Sequence, residues 1–332
     1  MPGGRQSSVA GGGLRTRVSA LDLGRGVAVI AMILYHFAWD LSNAGLIGVD
    51  VGIDPAWRVF AHLIAGSFLA MVGVSLVLSA QGGLKVEPFL LRLAFIVAGA
   101  AAVSLATWFI FPDAFVFFGI LHAIAVASVV ALPFLRLPAV AALLAAAACF
   151  VLPSILAGPA FNAPWLWWLG LSTDSPASVD FVPVFPWLGA TLLGVAAAQL
   201  ALQARPLGYW ARAEFRQPLG RGLIFLGRWS LVVYLAHQPI LFGIATLAAR
   251  VLPASADRLA AFQANCERSC RDTGAAAPVC ANYCGCVADR LVEQGLAAHA
   301  LANDFTPPER ERWQMILAAC RPAVFATPPT PG

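Results

Sequence analysis

Long apolar stretches separated by short polar segments dominate the sequence up to about residue 250. About 20 consecutive apolar residues suffice to cross the hydrocarbon core of a bilayer as a helix. Seven stretches have that length, at roughly 23–46, 57–80, 88–110, 115–134, 137–157, 183–203 and 223–250. The pattern therefore predicts an all-α fold, a polytopic transmembrane helical bundle of about seven spans.

Composition supports a membrane protein. Hydrophobic residues make up 60% of the chain and charged residues 11%, whereas a soluble domain carries about a quarter charged residues. Such a chain cannot cover itself with polar surface, so we expect the lipid bilayer to be its main partner. The net charge of +4 is modest and unevenly placed along the chain. It gives a topology signal and no argument for nucleic-acid binding.

Basic residues alternate between the connections. The connection around Asp50 has no Lys or Arg until Arg58, and the turn at 112–113 and the loop 158–181 have none. The alternate connections hold Lys85, Arg92, Arg136, Arg205, Arg212, Arg216 and Arg221. The positive-inside rule then predicts a cytoplasmic N-terminus and, after seven crossings, an extracytoplasmic C-terminus. We expect residues 1–20 to form a disordered cytoplasmic lead without a cleavage site, and 21–250 to form the membrane domain.

The composition changes to a polar segment at 251–332. It contains six of the seven cysteines, Cys266, Cys270, Cys280, Cys284, Cys286 and Cys320. Outside the cytoplasm they predict three disulfides, whereas a cytoplasmic tail would favour a zinc site. Two C-x3-C pairs flank a turn with Gly274 and Pro278, and residues four apart share one helix face. Among 15 possible pairings, a small helical hairpin favours Cys266–Cys284, Cys270–Cys280 and Cys286–Cys320.

Three histidines interrupt separate apolar stretches. The predicted topology places His36 and His237 roughly 20 Å from the cytoplasmic face of a core about 30 Å thick, and His122 roughly 10 Å below the outer face. All three converge on the outer third of the membrane. Because ionisable groups in hydrocarbon are costly, this coincidence predicts a catalytic or conduction site. Taken singly, each is equally well explained as a packing residue bonded to a neighbouring carbonyl.

Arg25 and Arg228 lie just inside apolar helices, near the predicted cytoplasmic face. A charge in that position needs a partner or a ligand. Guanidinium groups bind phosphate well, so these two residues are candidates for holding a phosphate-bearing donor. Positive-inside topology accounts better for most of the other arginines.

Five segments, taken together and in order, resemble one family. They are the stretch SALDLGRGVAVIAMILYHFAWDL from Ser19, FAHLIAGSFLAMVGVSLVLS from Phe60, FFGILHAIAVAS from Phe117, VDFVPVFPWLGATLLG from Val179 and LGRWSLVVYLAHQPILFG from Leu226. These segments are similar to the bacterial DUF1624 proteins, which are relatives of heparan-alpha-glucosaminide N-acetyltransferase. The resemblance covers about residues 15–250 and leaves the cysteine-rich tail unexplained.

The resemblance implies a membrane acyltransferase of the bacterial inner membrane. It would move an acyl group, in the first instance acetyl, from cytoplasmic acetyl-CoA or another acyl-CoA to an acceptor at the outer face. A cell-envelope glycan is the acceptor that this location favours. In the related acyltransferase-3 family a first-helix histidine in an R-G...H context is functional, which corresponds to His36 with Arg25. The eukaryotic enzyme has an important histidine between its first two helices, but residues 42–56 contain none. The heparan substrate is therefore not carried over.

Acyl transfer needs a base to remove the acceptor proton, and a neutral imidazole is suited to that. We predict His36 as the base, with His122 or His237 orienting it or stabilising the oxyanion. The predicted substrate-binding residues are Asp40, His62 and Asp180, although Asp180 also fits a helix-start residue. No Gly-x-Ser-x-Gly elbow occurs, and no metal is expected.

Two other functions are compatible with parts of the sequence. A small-solute transporter would also need buried ionisable groups, but internal repeats and paired broken helices are not evident, and its site would lie nearer the midplane. A non-catalytic membrane assembly protein with a folded tail would leave the histidines without a role. The sequence does not choose the oligomeric state.

Overall fold

A computed structural model describes residues 18–47, 49–174, 176–207, 209, 217–252, 256–302 and 305–321. Helices make up most of this part of the chain, and it contains no strand. The predicted all-α class is therefore confirmed. The predicted lead falls almost wholly outside the described residues, as do Arg212 and Arg216.

The helices follow one another along the chain with short connections. In the apolar part they are α1 (Ser19–Asn43), α2 (Pro55–Ser79), α3 (Val86–Ile110), α4 (Ile120–Val130), α5 (Ala139–Leu156), α6 (Val184–Ala204), α7 (Pro218–Arg228) and α8 (Ser230–Val251). The tail contains α9 (Ala256–Asp272), α10 (Ala277–Glu293), α11 (Ala297–Ala302) and α12 (Pro307–Cys320). Short 3₁₀ turns lie at Pro133–Leu135, Pro159–Phe161 and Pro164–Leu169.

Six of the described helices, α1, α2, α3, α5, α6 and α8, are long and apolar enough to span a membrane. The chain is an integral membrane protein. The predicted fourth span is the main difference, because α4 has 11 residues and begins at Ile120. The apolar residues before it are irregular, and Ser104 and Thr107 of α3 bond to the carbonyl and amide of Val116. Side chains thus replace the helical partners of this backbone, which is how non-helical chain is tolerated at membrane depth.

The predicted seventh span, 223–250, also divides. Helix α7 ends at Arg228, and α8 begins at Ser230 after a turn at Trp229. Only α8 has spanning length. Helix α7 has 11 residues and is about 16 Å long, about half the thickness of the bilayer core. Its basic and glycine residues are consistent with a helix that does not span.

Contacts divide the chain into two units. The first contains the residues up to Val27 together with Gly66–Ser230, and the second contains Ala28–Ala65 together with residues from Leu231 onward. Helices α1 and α2 therefore contribute to both. The division into lead, membrane domain and tail remains a prediction. By contacts, the tail belongs to the same unit as parts of α1 and α2 and nearly all of α8.

In the first unit, glycines allow two pairs of helices to cross at backbone distance. A Cβ on Gly73 of α2 would collide with the carbonyl oxygen of Thr191, and one on Gly194 of α6 would collide with that of Ala70. Helices α1 and α7 cross in the same reciprocal way through Gly26 and Gly227. Small residues at such crossings let membrane helices gain close packing where no hydrophobic force drives them together.

In the second unit, α1 and α8 pack through small residues near their C-terminal ends. Ala44, just after α1, forms an apolar cluster with Ala245 and Ala249 of α8. Arg258 of α9 is only 8% exposed and donates hydrogen bonds to the carbonyls of Ala44, Ala249 and Leu252. It satisfies carbonyls that lack a helical partner at the end of α8. One tail residue thus joins the ends of two spanning helices.

The tail is a helical hairpin, α9 and α10, extended by α11 and α12. Its disulfides are Cys266–Cys284, Cys270–Cys280 and Cys286–Cys320, which is the pairing that the sequence favours. The first two join α9 to α10, and the third joins α10 to α12. Cys149 is free and buried in α5. All six tail sulfurs are consumed in disulfides, so the pairing favours the disulfide interpretation over the zinc site.

Helix α12 begins with a capping box. The amide and hydroxyl of Thr306 donate to Glu309 at 2.8 and 2.6 Å. These bonds, with smaller contributions from the charges of His299 and Arg312, lower the pKa of the Glu309 carboxyl below its ordinary value. A lowered folded-state pKa means that the carboxylate stabilises the fold above the unfolded pKa and that this stabilisation is lost as pH falls through the folded pKa.

We therefore expect the melting temperature of the full-length protein to fall less steeply between pH 5 and pH 3, roughly the titration range of a carboxyl, in Glu309→Gln than in wild type. Scanning calorimetry in detergent measures this. Glu311→Gln is the matched control, since Glu311 is an exposed neighbour on the same helix, and it should keep the wild-type slope. Equal slopes for wild type and Glu309→Gln would contradict the assignment.

Candidate active site

Two of the predicted histidines lie side by side in the second unit. His36 of α1 and His237 of α8 have ring centres 5.0 Å apart with their planes tilted by 59°. His237 is buried, and His36 is half-buried. Two imidazolium ions at this distance repel each other, so at most one of the two rings carries a positive charge near neutral pH. At least one neutral imidazole is then available as a base.

Hydrogen bonding fixes the proton on His237. Its Nδ1 lies 2.6 Å from the carbonyl oxygen of Tyr234. Because a carbonyl can only accept, Nδ1 carries the hydrogen, and Nε2 of the neutral ring keeps its lone pair. Nε2 is buried and has no hydrogen-bond partner within the described part of the chain. His237 thus presents an unoccupied basic nitrogen.

A buried polar pair lies beside the two rings. Asp40, one turn after His36 on α1, is 2% exposed, and its Oδ1 accepts a hydrogen bond of 2.9 Å from the side-chain amide of Gln238. Asp40 Oδ2 and Gln238 Oε1 are buried without a partner in the residues that the structure describes. With His237 Nε2, three buried acceptor atoms therefore lack a donor. A bound molecule that donates a hydrogen bond would satisfy His237 Nε2.

A group of aromatic side chains lies on one side of His36. The ring of Tyr35 contacts those of His36, Trp57 and Phe60 at centroid distances of 5.4, 6.2 and 6.4 Å. On the other helix, Tyr234 lies 5.6 Å from His237. His62, predicted to bind substrate, is exposed on α2 in the same unit. The aromatic rings make part of the surroundings of the two imidazoles apolar.

The third histidine, His122, belongs to the first unit, and both its ring nitrogens are engaged. The amide of Gly119 donates to Nδ1 at 3.2 Å, so the neutral ring carries its hydrogen on Nε2, which lies 3.4 Å from Ser104 Oγ. Asp180 accepts the amide of Ile120 at 3.0 Å. Together these two residues cap the start of α4. Their predicted roles in catalysis and substrate binding remain predictions.

The predicted donor-binding arginines of the first unit share one carboxylate. Asp22 is 8% exposed and lies 3.2 Å from Arg25 and 3.4 Å from Arg228. Arg25 also donates to the hydroxyl of Ser75. Two guanidinium groups paired with one carboxylate leave the cluster with a net positive charge, which suits a phosphate group.

The profile of the family described as heparan-alpha-glucosaminide N-acetyltransferase, catalytic, matches residues 17–239. That is more than half of the 332 residues. The chain belongs to this N-acetyltransferase family. No curated protein and no solved structure matches the chain.

Membership confirms the resemblance found in the sequence and makes the chain a membrane acetyltransferase. The N-acetyltransferase region includes His36, His237 and the cluster of Asp22, Arg25 and Arg228, whereas the tail lies outside it. The sequence does not predict Gln238 and Ser75 as partners of these groups. Gln238 carries a weak signal, since it is a polar residue next to His237 inside an apolar stretch. Ser75 carries none, because serine is common in membrane helices.

Proposed function

We propose that this protein transfers the acetyl group of cytoplasmic acetyl-CoA to a hydroxyl or amine acceptor at the outer face of the bacterial inner membrane, where a cell-envelope glycan is the acceptor that the location favours. The observation that carries the proposal is the His36–His237 pair with its unoccupied Nε2, inside a region that belongs to an N-acetyltransferase family. Acetyl-CoA is the general donor of such enzymes.

The proposed orientation has the N-terminus in the cytoplasm and the tail outside. Three disulfides in the tail support it, because disulfides persist in oxidising compartments. The alternating basic connections support it as well. With six helices of full length, the orientation also requires α4 and its irregular flanks to cross the membrane. The apolar character of residues 115–134 supports that crossing.

The donor is proposed to bind at the cluster of Arg25, Arg228 and Asp22. CoA carries three phosphate groups, and arginines bind phosphate through paired N–H donors. Asp22 holds both guanidinium groups in place before the donor arrives. The single carboxylate of Asp22 neutralises only part of the positive charge of the two guanidinium groups, and the phosphates of CoA neutralise the rest.

The acceptor is proposed to bind at the histidine pair. Its O–H or N–H group donates to His237 Nε2, which removes the proton as the acceptor oxygen or nitrogen attacks the acetyl carbonyl. The thiolate of CoA leaves, and the imidazolium later returns its proton to solvent or to the thiolate. His36, the more exposed ring, contacts the acceptor and orients it. This assignment moves the base from His36, the residue that the sequence favours, to its neighbour.

Membrane vesicles of defined orientation test the proposal. With [¹⁴C]acetyl-CoA added outside, inverted vesicles, which expose the cytoplasmic face, should incorporate label into glycan or lipid, and right-side-out vesicles should not. Arg25→Ala and Arg228→Ala should raise KM for acetyl-CoA by roughly 10-fold, the effect of losing a charge-assisted hydrogen bond worth about 1.5 kcal/mol.

Arg221→Ala is the matched control for the donor cluster, since Arg221 is an exposed arginine two turns earlier on α7, and its KM should stay at the wild-type value. Labelling of right-side-out vesicles alone would contradict the orientation. Absence of labelling in both preparations, with solute flux through purified protein in liposomes, would replace the acetyltransferase by the transporter.

A further inference from the structure

A single buried hydrogen bond ties together the two helices that carry the histidine pair. Gln238 donates to Asp40 at 2.9 Å, and Asp40 is 2% exposed. Asp40 lies one turn after His36 on the same face of α1, and Gln238 directly follows His237 on α8. The bond is therefore about one helical turn from the ring contact on α1 and one residue from it on α8.

We infer that Gln238 is a positioning residue. Its bond to Asp40 sets the spacing of the two imidazoles, and Asp40 takes part as a hydrogen-bond acceptor for Gln238 and not through its charge on the substrate. The inference rests on the proposed function, because it assigns these residues to the same acetyl transfer.

The energetic cost of the pair supports this role. Asp40 Oδ2 and Gln238 Oε1 are buried and have no partner in the described residues, and leaving such atoms unpaired costs about 1–3 kcal/mol each. Apolar packing could join α1 and α8 without unpaired buried polar atoms. The cluster of Ala44 with Ala245 and Ala249 is packing of this kind. The presence of a polar pair that destabilises the helix interface therefore needs an explanation other than stability. The best-attested role of such a pair is a directional bond that fixes the register of two helices.

The local structure of α8 makes this bond important. Pro239 follows Gln238 inside the helix. Proline has no amide hydrogen, so the helical hydrogen bond to the carbonyl of Leu235 is missing at this level. The backbone around His237 is thereby less constrained along its own helix. The bond from Gln238 to Asp40 supplies a constraint from the neighbouring helix at the same point.

Substitutions can separate the bond from the charge. Gln238→Leu removes the bond at similar volume. Asp40→Asn removes the charge but keeps an oxygen that accepts from Gln238. The double variant Asp40→Asn with Gln238→Glu restores a bond of reversed polarity, in which the amide on α1 donates to the carboxylate on α8.

For a positioning role, Gln238→Leu should lower kcat by about 10- to 100-fold, the effect of misplacing reacting groups by about 1 Å, with KM for acetyl-CoA unchanged. Asp40→Asn keeps an oxygen that accepts from Gln238 and should therefore lose less turnover than Gln238→Leu. The double variant should regain at least about tenfold over Gln238→Leu. Wild-type turnover in Gln238→Leu would overturn the inference. The inference would also be overturned if Asp40→Asn lost as much turnover as Gln238→Leu and the double variant recovered none of it. The charge of Asp40 would then act directly in the reaction.

A second readout does not depend on activity. In a Cys149→Ala background, the pair His36→Cys and His237→Cys should be joined rapidly by a short bifunctional methanethiosulfonate in unreduced membranes. Adding Gln238→Leu should slow this joining several-fold, whereas adding Asp40→Asn should not. Absence of acetyl transfer by wild type would reject the proposed function, but the cross-linking rates would still decide whether Gln238 sets the spacing. Equal rates in all three backgrounds would overturn the inference.

Discussion

His237→Ala is expected to lower kcat for acetyl transfer by about 10²- to 10⁴-fold, the usual effect of removing a general base. The reason is that Nδ1–H of His237 donates to the Tyr234 carbonyl, so the lone pair of the neutral ring is on Nε2. Nε2 has no hydrogen-bond partner in the described residues and can accept the proton. Acetyl-CoA binding should be unchanged, because the arginine cluster is untouched. Steady-state kinetics on folded, detergent-purified protein, with a binding isotherm for acetyl-CoA, measures both quantities.

Three other histidine variants show whether the loss is specific. His62→Ala removes an exposed imidazole of the same unit and should leave kcat near wild type. His122→Ala removes the capping bonds of α4 and should lower the melting temperature more than it lowers turnover. His36→Ala should lose turnover as well, but less than His237→Ala. A larger loss in His36→Ala would return the base to His36, and near-normal turnover in both would reject the pair.

Gly227→Ala is expected to destabilise the protein by about 1–3 kcal/mol, the usual cost of inserting a methyl group into a filled interface. The added Cβ would collide with the backbone carbonyl of Asp22, which cannot rotate away as a side chain could. Helices α1 and α7 must then separate, and the pairing of Arg228 with Asp22 weakens with them. Thermal unfolding in detergent and the KM for acetyl-CoA should change together.

Helix α7 supplies its own control. A Cβ on Gly222 meets no atom within 4 Å, so Gly222→Ala adds a methyl group to the same helix without a collision. It should be neutral or stabilise the protein by up to about 1 kcal/mol through helix propensity. If Gly227→Ala and Gly222→Ala behaved alike, the close crossing of α1 and α7 would not be the constraint that positions Arg228.

The tail shows how far spacing alone predicts structure. Two C-x3-C pairs around a turn at Gly274 allow few low-strain hairpins, so the sequence favours the disulfide pairing that is observed. The fourth span was harder to predict. The mean hydropathy of a stretch does not depend on individual hydrogen bonds. It therefore cannot predict that Ser104 and Thr107 bond to the backbone of Val116 in place of helical partners. The shortened α4 follows from those side-chain bonds and not from hydrophobicity.

For the site, depth along a helix can be counted from the sequence, but direction around it cannot be fixed against an unknown neighbour. The count brings His36 and His237 to one level, and they are in contact. The same count gives no means of finding that Gln238 bonds to Asp40, or that Ser75 bonds to Arg25. Likewise, the cost of burying charge predicts that Arg25 and Arg228 need partners, but not that they share Asp22.

The position of the histidine pair in chain order affects biosynthesis. His36 lies on the first described spanning helix and His237 on the last. A nascent chain that has not yet inserted α8 therefore has only one member of the histidine pair, His36. Arg258 of the tail bonds to the carbonyl of Ala44, just after α1, and to carbonyls at the end of α8, so these contacts also form only after α8 has been synthesised. The site proposed for acetyl transfer can therefore assemble only after the first and the last of these spanning helices are both in place.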